Sequence, residues 1–199
     1  ATAFMMRDYR EMRAFLAISF PSELSSRVED LQQALKRADA DVRWVPSQNL
    51  HLTLKFLGEI EDACATELSG LLRPEIERYS PLELHFEGVG RFPKGGPPRV
   101  LWVGCRGDVS PLIGLAQLCE RAASVIDVPE ERRSFSPHLT IGRVKSGRNR
   151  ESLLRAMEAR FDEVIGPLRV PRITLYKSEL TPQGAIYQVL EEFSLGVRT

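Results

Sequence analysis

The chain is 199 residues long with 43% hydrophobic and 27% charged residues, the composition of an ordinary globular protein that can bury a core unaided. Lys plus Arg equals Asp plus Glu at 27 each; a zero net charge argues against a protein that coats long nucleic acid by neutralising many phosphates, and leaves room for one that grips a single phosphate. Cys64, Cys105 and Cys119 are widely spaced without a C-x-x-C, which gives no support to a disulfide scaffold or zinc knuckle, and no apolar run approaches the roughly 18 residues of a membrane span, so a reducing cytoplasm is the expected setting.

Residues 1–11 read as an N-terminal extension and 12–199 as a single domain. The AFLAISF run after Met12-Arg13 is too short and lacks the small-residue cleavage site of a targeting signal, so 13–20 reads as a buried strand. Pro21-Ser22 then opens a helix on the spacing of Leu24, Val28, Leu31 and Leu35. VRWVPSQN reads as a turn. His51 to Leu57 alternates, with His51, Thr53 and Lys55 on one face and Leu52, Leu54 and Phe56 on the other, the period of a half-buried strand. A helix over 61–77 follows, then strands over 82–89 and 99–105 around the loop RFPKGGPP, and a helix over 109–125 carrying Leu112, Leu115, Ala116 and Leu118. ERRSFSP leads into a strand over 138–141, and the tail offers a helix over 150–160 and strands over 168–180 and 185–194 joined by TPQG.

The two halves of the chain run in parallel, each with strand, helix and loop material and each with a His-x-Thr strand that has a proline, Pro46 or Pro137, in its lead-in. The elements lack the regular βαβ spacing of a parallel sheet, so the expected fold is α+β with largely antiparallel sheets in two lobes around one cleft.

His51-Leu52-Thr53 and His138-Leu139-Thr140 use two of the chain's three histidines. A lone His-x-Thr is usually a satisfied strand histidine, but at ordinary residue frequencies a second identical triplet arises on the order of once in 200 trials. Imidazole titrates near neutrality, so one histidine can accept a proton while another donates one. A threonine two residues along supplies a donor for phosphoryl oxygens. The pattern reads as two half-sites facing a phosphodiester. His85 lacks the threonine and reads as a strand-face residue. From Arg132 to Arg150 the chain holds Arg132, Arg133, Arg143, Lys145, Arg148 and Arg150 with no acid, a basic patch around His138 suited to an RNA end. Phe15, Trp44, Phe56 and Phe135 are aromatic candidates for base stacking, and Phe135 is the one retained.

HLTL at 51–54 and HLTI at 138–141, with RAFLAISFP, RWVPSQNLHLTLKFLGE, RFPKGGPPRVLWVG, RSFSPHLTIGRV and LYKSELTPQGAIYQVL around them, resemble the two-histidine phosphoesterases, and within them the RNA 2′,3′-cyclic phosphodiesterase family, also called the bacterial 2′-5′ RNA ligase family. The resemblance runs from about Met12 to the end. It implies a bilobal α+β fold with pseudo-twofold symmetry, helices outside and the active-site cleft between antiparallel sheets. It further implies hydrolysis of terminal 2′,3′-cyclic phosphate to 2′-phosphate on RNA ends or small cyclic nucleotides, with no metal, cofactor or protein partner. By position, His51 would protonate the departing 3′-oxygen, His138 would activate water, Thr53 and Thr140 would hold the phosphate, and Arg143 would lie beside the substrate.

Three rivals stand beside this reading. A zinc hydrolase would need Glu59 or Asp62 as ligands, without H-x-x-x-H or H-E-x-x-H spacing to support it. A non-catalytic RNA-end-binding module would keep the basic patch and gain nothing from matched histidines. Ligation of tRNA halves through a 2′-5′ bond is the reverse of the same chemistry and uses the same acid and base.

Overall fold

The computed structural model of the chain describes residues 11–196; the expected extension lies outside them apart from Glu11, which opens the first strand. In chain order the elements are β1 (Glu11–Ser19), α1 (Ser22–Lys36), β2 (Val42–Trp44), a 3-10 turn (Ser47–Asn49), β3 (His51–Glu61), α2 (Asp62–Ile76), β4 (Leu82–Phe92), β5 (Val100–Gly107), α3 (Val109–Val125), β6 (His138–Val144), α4 (Arg150–Glu158), β7 (Val164–Val170), β8 (Arg172–Thr181) and β9 (Gly184–Ser194). They form two antiparallel sheets, one in the order β3-β1-β8-β9 and one in the order β2-β6-β5-β4-β7. This is the α+β, two-sheet architecture expected from the sequence. Among the described residues no helix is long and apolar enough to cross a membrane.

The lobes are not the two halves of the chain. The four-stranded sheet takes strands from both ends, and the five-stranded sheet takes the middle. The helices cross over as well: α2 and α3 pack on the four-stranded sheet against β3 and β9, while α1 and α4 pack on the other against β7 and β4. The pseudo-twofold therefore relates β1-α1-β3-α2 to β5-α3-β6-α4, with the first helix of each unit crossing to the opposite lobe. Leu24, Val28, Leu31 and Leu35 on α1, and Leu112, Leu115 and Cys119 on α3, are the buried faces of these two crossing helices.

Two sequence expectations need correction. The stretch 168–180 is not one strand: Val170 pairs with Leu82 in the five-stranded sheet and Arg172 pairs with Ser194 in the other. Pro171 stands at the change of sheet, where its missing N–H would have broken a ladder. VRWVPSQN, read as a turn, contributes β2, whose Trp44 pairs with Gly142 on β6. An added Cβ at Gly142 would fall 2.8 Å from Val42 and 3.1 Å from the Trp44 ring, so a glycine on β6 is what lets this short edge strand close in.

Candidate active site

His51 opens β3 opposite Ser19 on β1, and His138 opens β6 opposite Gly104 on β5. β3 and β6 approach each other across the two sheets. Both strands then break their alternation at the same place. The register slips between Leu16 and Ala17, which oppose Lys55 and Thr53, leaving Leu54 as the extra residue; it slips again between Leu101 and Trp102, which oppose Gly142 and Thr140, leaving Ile141 as the extra one. Such bulges re-aim the side chains that follow. Past Thr53, then, the expected alternation is wrong: Lys55 turns to the helix side and is buried, while Phe56 turns to the cleft and is 59% exposed. On β6 the same slip brings Arg143, an exposed residue, to the cleft face that holds His138 and Thr140. Phe56 and Arg143 are thus pseudo-symmetric counterparts.

Each bulge is braced by the crossing helix beneath it. On α1 the buried Gln32 donates to Ile141 O at 2.9 Å and to Val45 O at 2.8 Å, giving the bulged carbonyl a second donor beside the Val45 N–H at 3.0 Å. On α3, Glu120 takes the buried Lys55 ammonium at 2.5 Å and the Glu131 N–H at 2.8 Å, and Lys55 also donates to Pro129 O at 2.8 Å. The second brace ties β3 to the loop that leads into His138.

The two imidazoles are held alike. His51 Nδ1 lies 2.6 Å from Asn49 O and His138 Nδ1 lies 2.7 Å from Ser136 O. A carbonyl oxygen only accepts, so Nδ1 carries hydrogen in both rings and Nε2 is left as the nitrogen that gains or loses a proton. Aromatic rings fix the planes: His51 sits 4.8 Å from Phe15 and edge-on to Tyr187 at 5.3 Å, and His138 sits edge-on to Phe92 at 5.0 Å. Burial holds the His51 imidazole below its ordinary pKa, opposed in part by its bond to Asn49 O, and the Arg143 guanidinium adds a smaller push downward.

A recess of about 410 Å³ opens beside His51, lined among others by Phe20, Gln48, Tyr176, Ile186 and Tyr187. His138 is not among its walls. Asn49 Nδ2 donates to Ala185 O at 2.8 Å, closing the β8–β9 hairpin over it. Burial raises the Tyr187 phenol, opposed by the positive charges of Arg143, Arg13 and Arg43. The sequence reading missed Tyr176, Tyr187 and Arg13, which lie far from both triplets in the chain, and Arg43, which precedes His51 by eight residues.

Thr53 and Thr140 share the cleft face with their histidines and are half-buried. Phe135 and Trp44 are half-buried and pack on the core, and Phe15 is buried against His51, Tyr176 and Tyr187, so Phe56 is the exposed ring of the four stacking candidates. Part of the basic patch is committed elsewhere, since Arg148 pairs with Asp39 at 3.0 Å. His85 lies 3.4 Å from Glu87 on β4. Among the described residues, no group of three or more His, Cys, Asp or Glu gathers as a metal-ligand set.

Comparison with known proteins matches residues 18–102 and 108–187 to the family model described as LigT like phosphoesterase. A Methanothermobacter thermautotrophicus protein named RNA 2′,3′-cyclic phosphodiesterase is 36% identical over 185 residues, covering 93% of this chain and 100% of the relative. A Thermus thermophilus protein of known structure superimposes with a TM-score of 0.79 at 28% identity, covering 94% of this chain and 100% of that one. E. coli LigT complexed with 3′-AMP gives 0.76 at 27% identity, covering 94% and 99%.

Proposed function

This chain belongs to the LigT-like phosphoesterase family, and we propose that it is a metal-independent RNA 2′,3′-cyclic phosphodiesterase that yields 2′-phosphate ends. The observation that carries the proposal is the matched pair of histidines, each with Nδ1–H held by the carbonyl two residues back and each followed by a threonine on the same strand face. The name borne by the Methanothermobacter relative supports the substrate class.

In the reaction, water attacks phosphorus in line with the P–O3′ bond. His138 Nε2 takes the water proton, the P–O3′ bond breaks, and protonated His51 Nε2 delivers its proton to O3′, leaving the phosphate on O2′. The Thr53 and Thr140 hydroxyls donate to the non-bridging oxygens, and Arg143 offsets their charge. Holding these donors in place beforehand is what lowers the barrier.

His51 as the acid places a condition on the substrate. In the free site, burial and Arg143 favour its neutral form; a bound phosphodiester anion offsets Arg143 and sits against the imidazole, and both effects favour the protonated form. Substrate binding therefore carries a proton into the site.

The test is to incubate cyclic-phosphate-ended RNA with the protein, with and without chelator and with and without a 5′-hydroxyl acceptor strand. Nearly exclusive 2′-phosphate product that survives chelation is expected. A mixture of 2′- and 3′-phosphates would contradict the assigned leaving oxygen, and a 2′-5′ joined product dominating when acceptor is present would favour ligation.

A further inference from the structure

We propose that Gln32 on α1 and the Lys55–Glu120 pair on β3 and α3 are positioning residues that couple the two half-sites crosswise: each holds the approach to one histidine against the bulge on the other histidine's strand. The inference rests on the cyclic phosphodiesterase reading and adds to it the residues that set acid and base against one another.

The chain passes between the lobes just before each histidine. It leaves β2 of the five-stranded sheet and enters β3 of the other through the 3-10 turn at Ser47–Asn49. It leaves α3, packed on the four-stranded sheet, and returns to β6 of the five-stranded sheet through residues 126–137. A side chain pins each passage. Gln32 bonds Val45 O, six residues before His51, and Glu120 takes the Glu131 N–H, seven before His138. The same side chains hold the opposite bulge, Gln32 through Ile141 O on β6 and Glu120 through the Lys55 ammonium on β3. Gln32 stands 19 residues before His51 and Glu120 stands 18 before His138, at equivalent places on the two crossing helices, so the pseudo-twofold repeats the device with different chemistry.

Gln32 is 3% exposed beside Val28, Leu31 and Leu35, on a helix face that a leucine would complete. A buried amide is tolerated where its hydrogens find acceptors. The side-chain NH2 has two hydrogens, and both go to carbonyls, 13 and 109 residues away in the chain. From Val45 the constraint follows a short path: the Asn49 N–H donates to Pro46 O at 2.8 Å, and Asn49 O accepts from His51 Nδ1 at 2.6 Å. From Ile141 it passes to Thr140 and Arg143 on either side of the bulge. The Lys55–Glu120 pair does the reverse. Lys55 follows the Leu54 bulge on β3, and its bond to Pro129 O, with that of Glu120 to the Glu131 N–H, fixes the loop that ends in Ser136 O, the acceptor of His138 Nδ1. Loss of Gln32 should therefore impair His51, the acid, although the bulge it touches lies on the strand of His138. Loss of Lys55 should impair His138, the base, although Lys55 lies on the strand of His51.

The experiment measures Gln32→Met and Lys55→Met on cyclic-phosphate-ended RNA and on a phosphodiester whose leaving group is a nitrophenolate, with the imidazole proton NMR shifts of both histidines as a second readout. Because a small misplacement of a catalytic group is enough to slow the chemistry, kcat on the RNA should fall about 10- to 100-fold in each variant. Gln32→Met should regain most of its kcat on the nitrophenyl ester, show a raised KM through Arg143, and shift the His51 resonances more than those of His138. Lys55→Met should stay slow on both substrates and shift His138 more than His51. Val28→Ala, on the same buried face of α1 and without a hydrogen bond to either carbonyl, should lower Tm while leaving kcat and both sets of resonances unchanged. Wild-type kcat in Gln32→Met, equal relief of both variants by the nitrophenyl ester, resonance shifts confined to the histidine on the braced strand, or a Val28→Ala variant that behaves as Gln32→Met would overturn the coupling. If Gln32→Met fails to fold, Gln32→Asn keeps an amide too short to reach both carbonyls; if Lys55→Met fails, adding Glu120→Leu removes the unpaired charge. Inactivity of the wild type on both substrates would instead sink the cyclic phosphodiesterase reading, and the resonances, which need no substrate, would still decide the coupling.

Discussion

Lys55→Met tests whether the bulge on β3 is held by the brace from α3. The Lys55 side chain is 5% exposed and its ammonium is shared between Glu120, at 2.5 Å, and Pro129 O, at 2.8 Å. Methionine fills much the same volume and supplies neither bond. Removing one partner of a buried ion pair costs about 3–5 kcal/mol when both ends are buried. Glu120 is 25% exposed and keeps the Glu131 N–H, so water and that bond soften the loss, and the expected cost is about 2–3 kcal/mol. For a protein of this size that lowers Tm by about 5–10 °C. Urea denaturation of Lys55→Met, Glu120→Leu and the double variant gives the coupling. The double variant should be more stable than the sum of the singles implies, by about 2 kcal/mol, because no unpaired charge remains. Since the same brace anchors the loop before His138, kcat of Lys55→Met should fall more than KM rises. A loss within about 0.5 kcal/mol together with additive singles would refute the reasoning.

Because the folded protein holds His51 below its ordinary 6.5, the unfolded chain takes up this proton first, and stability should fall as pH drops from about 6.5 toward the folded pKa; His51→Asn should lose less over that window, and equal urea midpoints at each pH for both proteins would contradict it. Arg143→Ala should raise the His51 pKa, read from its imidazole NMR shifts, and raise KM for the cyclic phosphate, and Arg143→Lys should also be impaired if the contact is bidentate; an unmoved titration would remove Arg143 from the surroundings of His51. Gly90→Ala would put a Cβ 2.1 Å from the Trp102 ring, which pairs with Thr140, and should cost about 1–3 kcal/mol by forcing that ring off its seat; a wild-type Tm would show the ring free to move.

Much of this was legible in the sequence because it is local. The alternation of HLTL, the 3–4 spacing of Leu24, Val28, Leu31 and Leu35, and the repeated triplet each report a period that short-range sterics enforce. The bulges were not legible. Leu54 and Ile141 look like ordinary strand residues, and only the opposing registers of β1 and β5 show that Lys55 and Phe56 exchange faces. Nor could the sequence show that 168–180 is shared between two sheets, since each piece keeps its own alternation on either side of Pro171. Tyr187 reaches His51 only because the last hairpin folds over the 3-10 turn, where Asn49 holds Ala185 O. Contacts between residues more than a hundred positions apart leave no trace in local spacing.

The central claim is that the two matched histidines divide acid and base work on a phosphodiester, and leaving-group chemistry tests it most directly. Removing either histidine should slow cyclic phosphate hydrolysis about 10²–10⁴-fold. A phosphodiester whose leaving group is a nitrophenolate departs as a stable anion and needs little protonation. On that substrate His51→Ala should recover most of its lost rate, while His138→Ala should stay slow because water still lacks its base. Rescue of His138→Ala alone would reverse the assignment; rescue of neither would contradict the claim and leave both histidines as phosphate-holding groups.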